Sequence, residues 1–149
     1  MEVVFYRSTA AKAVKIEIIE QSEQAPAAEH RALASAVRAA RERNCGVTVV
    51  VPAKRHAKTT PLSCLVTEQQ LEALLKGKPV RIAENVIGRL ESNNTLKTSK
   101  ENRVLLIVRA WQEAIPKVKA LNGVESLVVV PPSTEEAKKW REAFDEQRT

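Results

Sequence analysis

The stretch Gly46–Lys58, GVTVVVPAKRHAK, decides the fold class. Val47–Val51 stands between a glycine and a proline with almost no polar alternation, the pattern of a strand covered on both faces. Such strands belong to sheets flanked by helices on both sides. The second half, Lys54-Arg55-His56-Ala57-Lys58, turns at once to basic side chains. In open α/β sheets, ligands bind outside the carboxyl ends of the strands, so this junction is a candidate site as well as a strand end.

Upstream, residues 26–43 predict a helix. Pro26 suits its first turn, and Leu33, Ala36, Val37 and Ala40 share one face. Arg31, Arg38 and Glu42 fall on the opposite face. Asn44-Cys45-Gly46 ends the helix, and Gly46 is expected to take the left-handed conformation that closes it. Before the helix, residues 3–8 read as a strand. Residues 9–20 fit either a helix face of Ala10, Ala13, Val14 and Ile18 or a strand at 14–19, and the alternation of Val14, Ile16 and Ile18 favours the strand.

Downstream, Thr67-Glu-Gln-Gln70 predicts a capping box opening a helix with Leu71, Leu74 and Leu75 inward, stopped by Gly77 and Pro79. Residues 80–90 fit a hairpin turning at Glu84-Asn85 or a short helix on Val86, Ile87 and Leu90. A polar, mobile loop is expected at about 91–103. Val104–Val108 reads as another buried strand, followed by a helix facing inward through Trp111, Ala114, Ile115, Val118 and Leu121. Leu127–Val130 is a third strand of this kind, and Ser133-Thr-Glu-Glu136 a second capping box. The last helix points Ala137, Trp140 and Phe144 inward and pairs Glu135 with Lys139. The expected fold is α/β: a single Rossmann-like domain over 1–149, with a mainly parallel sheet flanked by helices and room for a small β-hairpin insertion.

The composition bounds the function. Of 149 residues, 24 are Lys or Arg and 18 Asp or Glu, a net charge of +6. The excess lies in the middle: residues 1–51 carry +1, 52–119 carry +7 and 120–149 carry −2. A basic chain of this kind suits nucleic acid or another polyanion. Aromatics are 3%, too few for a stacking platform of the kind that binds single strands. Asp145 is the single aspartate, so clustered carboxylates for Mg²⁺ would have to be glutamates. Gly46, Gly77, Gly88 and Gly123 are too scattered for a dinucleotide or Walker loop. Cys45 and Cys64 form no metal-binding motif, and with no signal peptide or apolar run near 20 residues in view, they read as reduced thiols of a cytoplasmic protein.

The chemistry-bearing residues sit after the strands: Arg7-Ser8-Thr9, Lys54-Arg55-His56, Arg109 and Ser133-Thr134. Arginine forks, hydroxyls and free helix N–H groups together suit a phosphate. Lys54, Arg55 and Arg109 are the leading residues, with Arg7, Ser8, His56, Ser133 and Thr134 as further ligands. No cofactor, metal ligand or catalytic residue is assigned. His56 with Cys64 or Ser63 has the residue types of a base and a nucleophile, but nothing in their spacing brings them together. The expectation is a non-catalytic or regulatory module for a phosphate-bearing ligand, nucleic acid or nucleotide. The rival is a protein–protein or self-assembling subunit with incidental charge, and an enzyme with an unrecognised site ranks third.

Overall fold

Seven strands form one sheet in the order β1-β2-β7-β6-β3-β5-β4. The elements run β1 (Glu2–Arg7), β2 (Ala13–Ile18), α1 (Ala27–Arg43), β3 (Gly46–Val51), α2 (Glu68–Leu75), β4 (Val80–Ala83), β5 (Val86–Ser92), β6 (Arg103–Val108), α3 (Ile115–Lys119), β7 (Val124–Val130) and α4 (Thr134–Asp145). This computed structural model describes residues 2–7, 13–20, 27–53, 65–92, 95–96, 102–121 and 123–145, with only the backbone at 2–7, 13 and 145. Pairings β2–β7, β7–β6, β6–β3 and β3–β5 are parallel. The edge strands β1 and β4 run antiparallel to their neighbours. The protein is therefore α/β, with a mostly parallel sheet flanked by helices. No helix among the described residues is long and apolar enough to cross a membrane.

The central strands are covered on both faces, as their unbroken apolar runs require. One face packs Val47, Val49, Val51, Val104, Leu106, Val108 and Val128 under α1 and α2. The other packs Val14, Ile16, Ile18, Leu105, Ile107, Leu127 and Val129 under α3 and α4. Trp140 and Phe144 of α4 are fully buried there, their rings stacked 5.7 Å apart, and Lys119 Nζ lies 5.4 Å from the Phe144 ring centre. Arg141 bridges to Glu20, fastening α4 to the end of β2. On the opposite face, Ser35 of α1 donates to the buried Glu17 carboxylate, which Lys15 also meets at 3.1 Å.

Helix ends follow local chemistry with one correction. Thr67 Oγ1 accepts from Gln70 N while the Gln70 side chain accepts from Thr67 N, and Gly77 takes φ +81 beyond the last turn, as expected. At the end of α1, however, Asn44 and not Gly46 takes the left-handed conformation, at φ +52. Cys45 N–H reaches back to Ala40 O at 3.0 Å, completing a Schellman closure two residues earlier than expected. Gly46 serves a different need. A Cβ placed on it would stand 2.7 Å from the carbonyl oxygen of Ile87, so only glycine lets β3 and β5 approach.

The hairpin alternative holds for residues 80–90, with Glu84–Asn85 as its turn, but it is no appendage. β5 pairs in parallel with β3, from Val47↔Gly88 to Val51↔Ser92, and so extends the main sheet. The expected loop at 91–103 shrinks at both ends, because Glu91 and Ser92 complete β5 and Arg103 begins β6, while Leu96 is buried in the core. In α4, Lys139 pairs with Glu136 at 3.6 Å and not with Glu135. Glu136 is the carboxylate that the fold draws inward.

Candidate functional site

The parallel strands place their carboxyl ends along one edge. Val108 pairs with Val130 and Val50 with Ile107, so β7, β6 and β3 end level. Arg109 leaves β6 at this edge, and Ser133 and Thr134 open α4 shortly after β7. Ala53 is the last described residue after β3; Lys54, Arg55 and His56 continue from it and lie outside the described residues, as do Ser63 and Cys64. Arg7 does not join them. β1 is antiparallel, and its pairing of Arg7 with Ala13 puts Arg7 at the opposite edge, so the expectation, which took β1 as parallel, is corrected. Ser8 lies outside the described residues.

The turn at Arg109 is tightly held. Ala110 N–H donates to Val130 O at 3.0 Å, and the buried Trp140 Nε1 donates to Ala110 O at 2.7 Å. A 3₁₀ turn, Gln112–Ala114, then precedes α3, with Pro116 in its first turn. Trp111 caps that turn in an extended conformation and is 44% exposed, so it is not part of the helix's inner face. Its side chain is turned out because the helical repeat starts only after it. Ser133 Oγ accepts from Glu136 N at 3.2 Å, as a capping residue should. The Glu136 carboxylate instead accepts from Gln112 N at 2.8 Å, stapling α4 to the turn after β6. This pairing joins residues 24 apart and leaves no local signal in the sequence.

That edge is weakly cationic among the described residues. Arg109 is exposed, but so are Glu113 and Glu135. Glu135 and Glu136 also occupy the first turn of α4, where they already answer the positive end of the helix dipole. Ser133 and Thr134 therefore do not make an anion cage by themselves.

A second region was missed by reading strand ends alone. On β6 and β3, Arg103 and Thr48 alternate with residues of the α1 side and so face the α3 side of the sheet. On β5, Ile87 and Arg89 alternate with the buried Val86 and Leu90 and face the same way. Arg81 of β4 pairs with Ile87 and shares that face. Arg81 and Arg89 are exposed and Ile87 is 45% exposed, so the sheet is open there. Arg81 and Arg89 are diagonal neighbours across the hairpin, about 7–8 Å apart. Beside them lies a cleft of about 260 Å³ lined by Gly46, Thr48, Ile87, Arg89, Asn102 and Arg103. It adjoins a depression of about 590 Å³ that reaches Arg43, Asn44 and Cys45.

The charges of this face are set by their neighbours. Burial pushes the Arg103 pKa down, and the nearby Glu91 carboxylate partly restores it. Glu91 in turn accepts from Thr95 Oγ1, and Ser92 N donates to the same hydroxyl at 2.9 Å, pinning the end of β5. Arg43 reaches Glu125 at 3.4 Å. Arg41 Nε donates to Glu84 O at 3.1 Å, tying the hairpin turn to α1. Arg81 and Arg89 have no carboxylate partner among the described residues.

Compared with known protein families, with curated proteins and with solved structures, the chain finds no match. Its function is therefore read from this geometry. Among the described residues no group of three or more metal-ligating side chains gathers. The signal for the open face was present in the sequence as the alternation Ile87-Gly88-Arg89-Leu90, and it becomes usable once the hairpin is known to pair with β3.

Proposed function

We propose that the protein is a non-catalytic module that binds the phosphate backbone of nucleic acid, with the open face of β4 and β5 as its principal contact. The observation that carries this reading is the pair Arg81 and Arg89, exposed on one face without carboxylate partners among the described residues, with Arg103 at the adjoining cleft. At about 7–8 Å, their spacing spans on the order of two phosphates along a strand with one charge per 3.4 Å. Lys54 and Arg55, which follow Ala53 in the chain and lie outside the described residues, are proposed with Arg109 as further backbone contacts.

The same reading infers a Rossmann-like, doubly wound chain course. Its support is that β3 leads to α2 on one face while its neighbour β6 leads to α3 on the other, the reversal at which such sheets bind ligands. It also proposes a cytoplasmic protein, in which Cys45 stays reduced.

The test is anisotropy of a labelled 20-bp duplex at 50 and 200 mM salt, with Arg81→Ala/Arg89→Ala beside the wild type. Binding that weakens with salt and with the double substitution is expected; no binding at 50 mM salt defeats the proposal. A second reading, self-assembly, is favoured by the exposed Ile87 on the same face. It predicts a concentration-dependent mass that Ile87→Ser abolishes and salt does not.

A further inference from the structure

Five described residues adopt positive φ: Asn44, Asn85, Gly77, Gly123 and Arg109. Four are the glycines and asparagines that tolerate it; the fifth is an arginine at φ +54, where a side chain with a Cβ is disfavoured. Two residues on stands Trp111, one of two large apolar side chains exposed among the described residues. An unusual backbone and an unusual exposure thus meet in the tripeptide Arg109-Ala110-Trp111.

Neither is the slack of a loose loop. Ala110 is held on both its polar groups, by Val130 O at 3.0 Å and Trp140 Nε1 at 2.7 Å. Gln112 N is held by the buried Glu136 at 2.8 Å, and Ala114 N by Trp111 O at 3.1 Å. The indole is therefore displayed from a fixed backbone, with an exposed guanidinium two residues away. The surroundings do not suit a protein interface core, which wants contiguous apolar surface. Gln112, Glu113, Ser133 and Thr134 are exposed and polar, and Ile87, the other exposed apolar residue, belongs to a different strand and stands near the opposite end of the sheet. One exposed flat ring two residues from one exposed cation suits a ligand that is itself flat and anionic.

We propose that Trp111 stacks on an unpaired nucleobase while Arg109 meets the phosphate attached to it. This rests on the nucleic-acid reading but not on the open arginine face. A backbone contact alone accepts duplex and single strand alike, whereas a stacked base must be unpaired.

Two probes and their free counterpart separate the possibilities: single-stranded dA12, the dA12·dT12 duplex, and adenosine monophosphate. Tryptophan emission is followed in the wild type and in Trp111→Phe, so that the difference reports Trp111 while Trp140, fully buried, stays in both. We expect dA12 to quench the wild type and not Trp111→Phe. Trp111→Ala, which removes the ring, should weaken dA12 binding roughly 5- to 150-fold, the range of one lost stack of about 1–3 kcal/mol, and leave duplex binding unchanged. Arg109→Gly removes the charge while accepting the left-handed backbone, so it should lower dA12 affinity without loss of stability. Quenching by the monophosphate at comparable concentration assigns the site to a free nucleotide; quenching by dA12 alone assigns it to a single strand. Equal dA12 affinity in the wild type and Trp111→Ala overturns the inference while leaving the backbone reading intact. Failure of every probe to bind overturns both.

Discussion

Gly46→Ala is the perturbation that probes how the open face is built. The added Cβ would stand 2.7 Å from Ile87 O, and both obstructing atoms belong to backbone rather than to a side chain that can turn away. Ordinary contact needs several tenths of an ångström more, so β5 must move away from β3 or the pairing Val47↔Gly88 must slip. Overpacking of this kind costs about 1–3 kcal/mol. With a urea m-value of about 2 kcal/mol/M, the unfolding midpoint should fall by about 0.5–1.5 M at unchanged m. Urea unfolding followed by far-UV circular dichroism measures it. The same shift should loosen Arg89 from its place beside Thr48, its partner across β3 and β5, and weaken nucleic-acid binding. A change within about 0.5 kcal/mol would refute the close approach of the two strands, and with it the placement of Arg89 on that face.

Other substitutions test the local readings. Asn44→Gly should be neutral or stabilising in urea unfolding, whereas Asn44→Val should cost about 1–2 kcal/mol, because φ +52 is open to glycine and closed to a β-branched residue. Gly77→Ala, with nothing within 4 Å of its new methyl, should cost about 1 kcal/mol from backbone conformation alone, separating strain from crowding. Glu136→Ala removes the acceptor of Gln112 N–H and should lower stability by about 1.5–3 kcal/mol, with Glu136→Gln losing less because an acceptor remains.

These tests follow the line between what the residues announce and what the fold decides. Thr67 and Gln70 close a capping box within four residues, and Val47–Val51 lies buried on both faces, because local chemistry specified both. The end of α1 was legible as a stop but not by residue: in Asn44-Cys45-Gly46 either Asn44 or Gly46 can turn left-handed, and the crowding of Gly46 against Ile87 comes from a strand 40 residues away. Arg7 looked like a partner of Arg109 until the antiparallel pairing of β1 sent it to the other edge. Trp111 fitted the apolar repeat of a helix that begins only after it. Arg103 stands on β6, separated by β3 from the hairpin that carries Arg81 and Arg89, and only the order β6-β3-β5-β4 makes the three one surface.

The most direct measurement of the central claim is the salt dependence of duplex binding in the wild type and in Arg81→Ala/Arg89→Ala. Each phosphate contact adds about −0.9 to the slope of log K against log salt, so removing two should make the slope shallower by about 1.8. The wild type should then lose about 12-fold more affinity than the variant between 50 and 200 mM salt. Parallel lines for the two proteins would contradict the account, because the open face would then carry none of the binding.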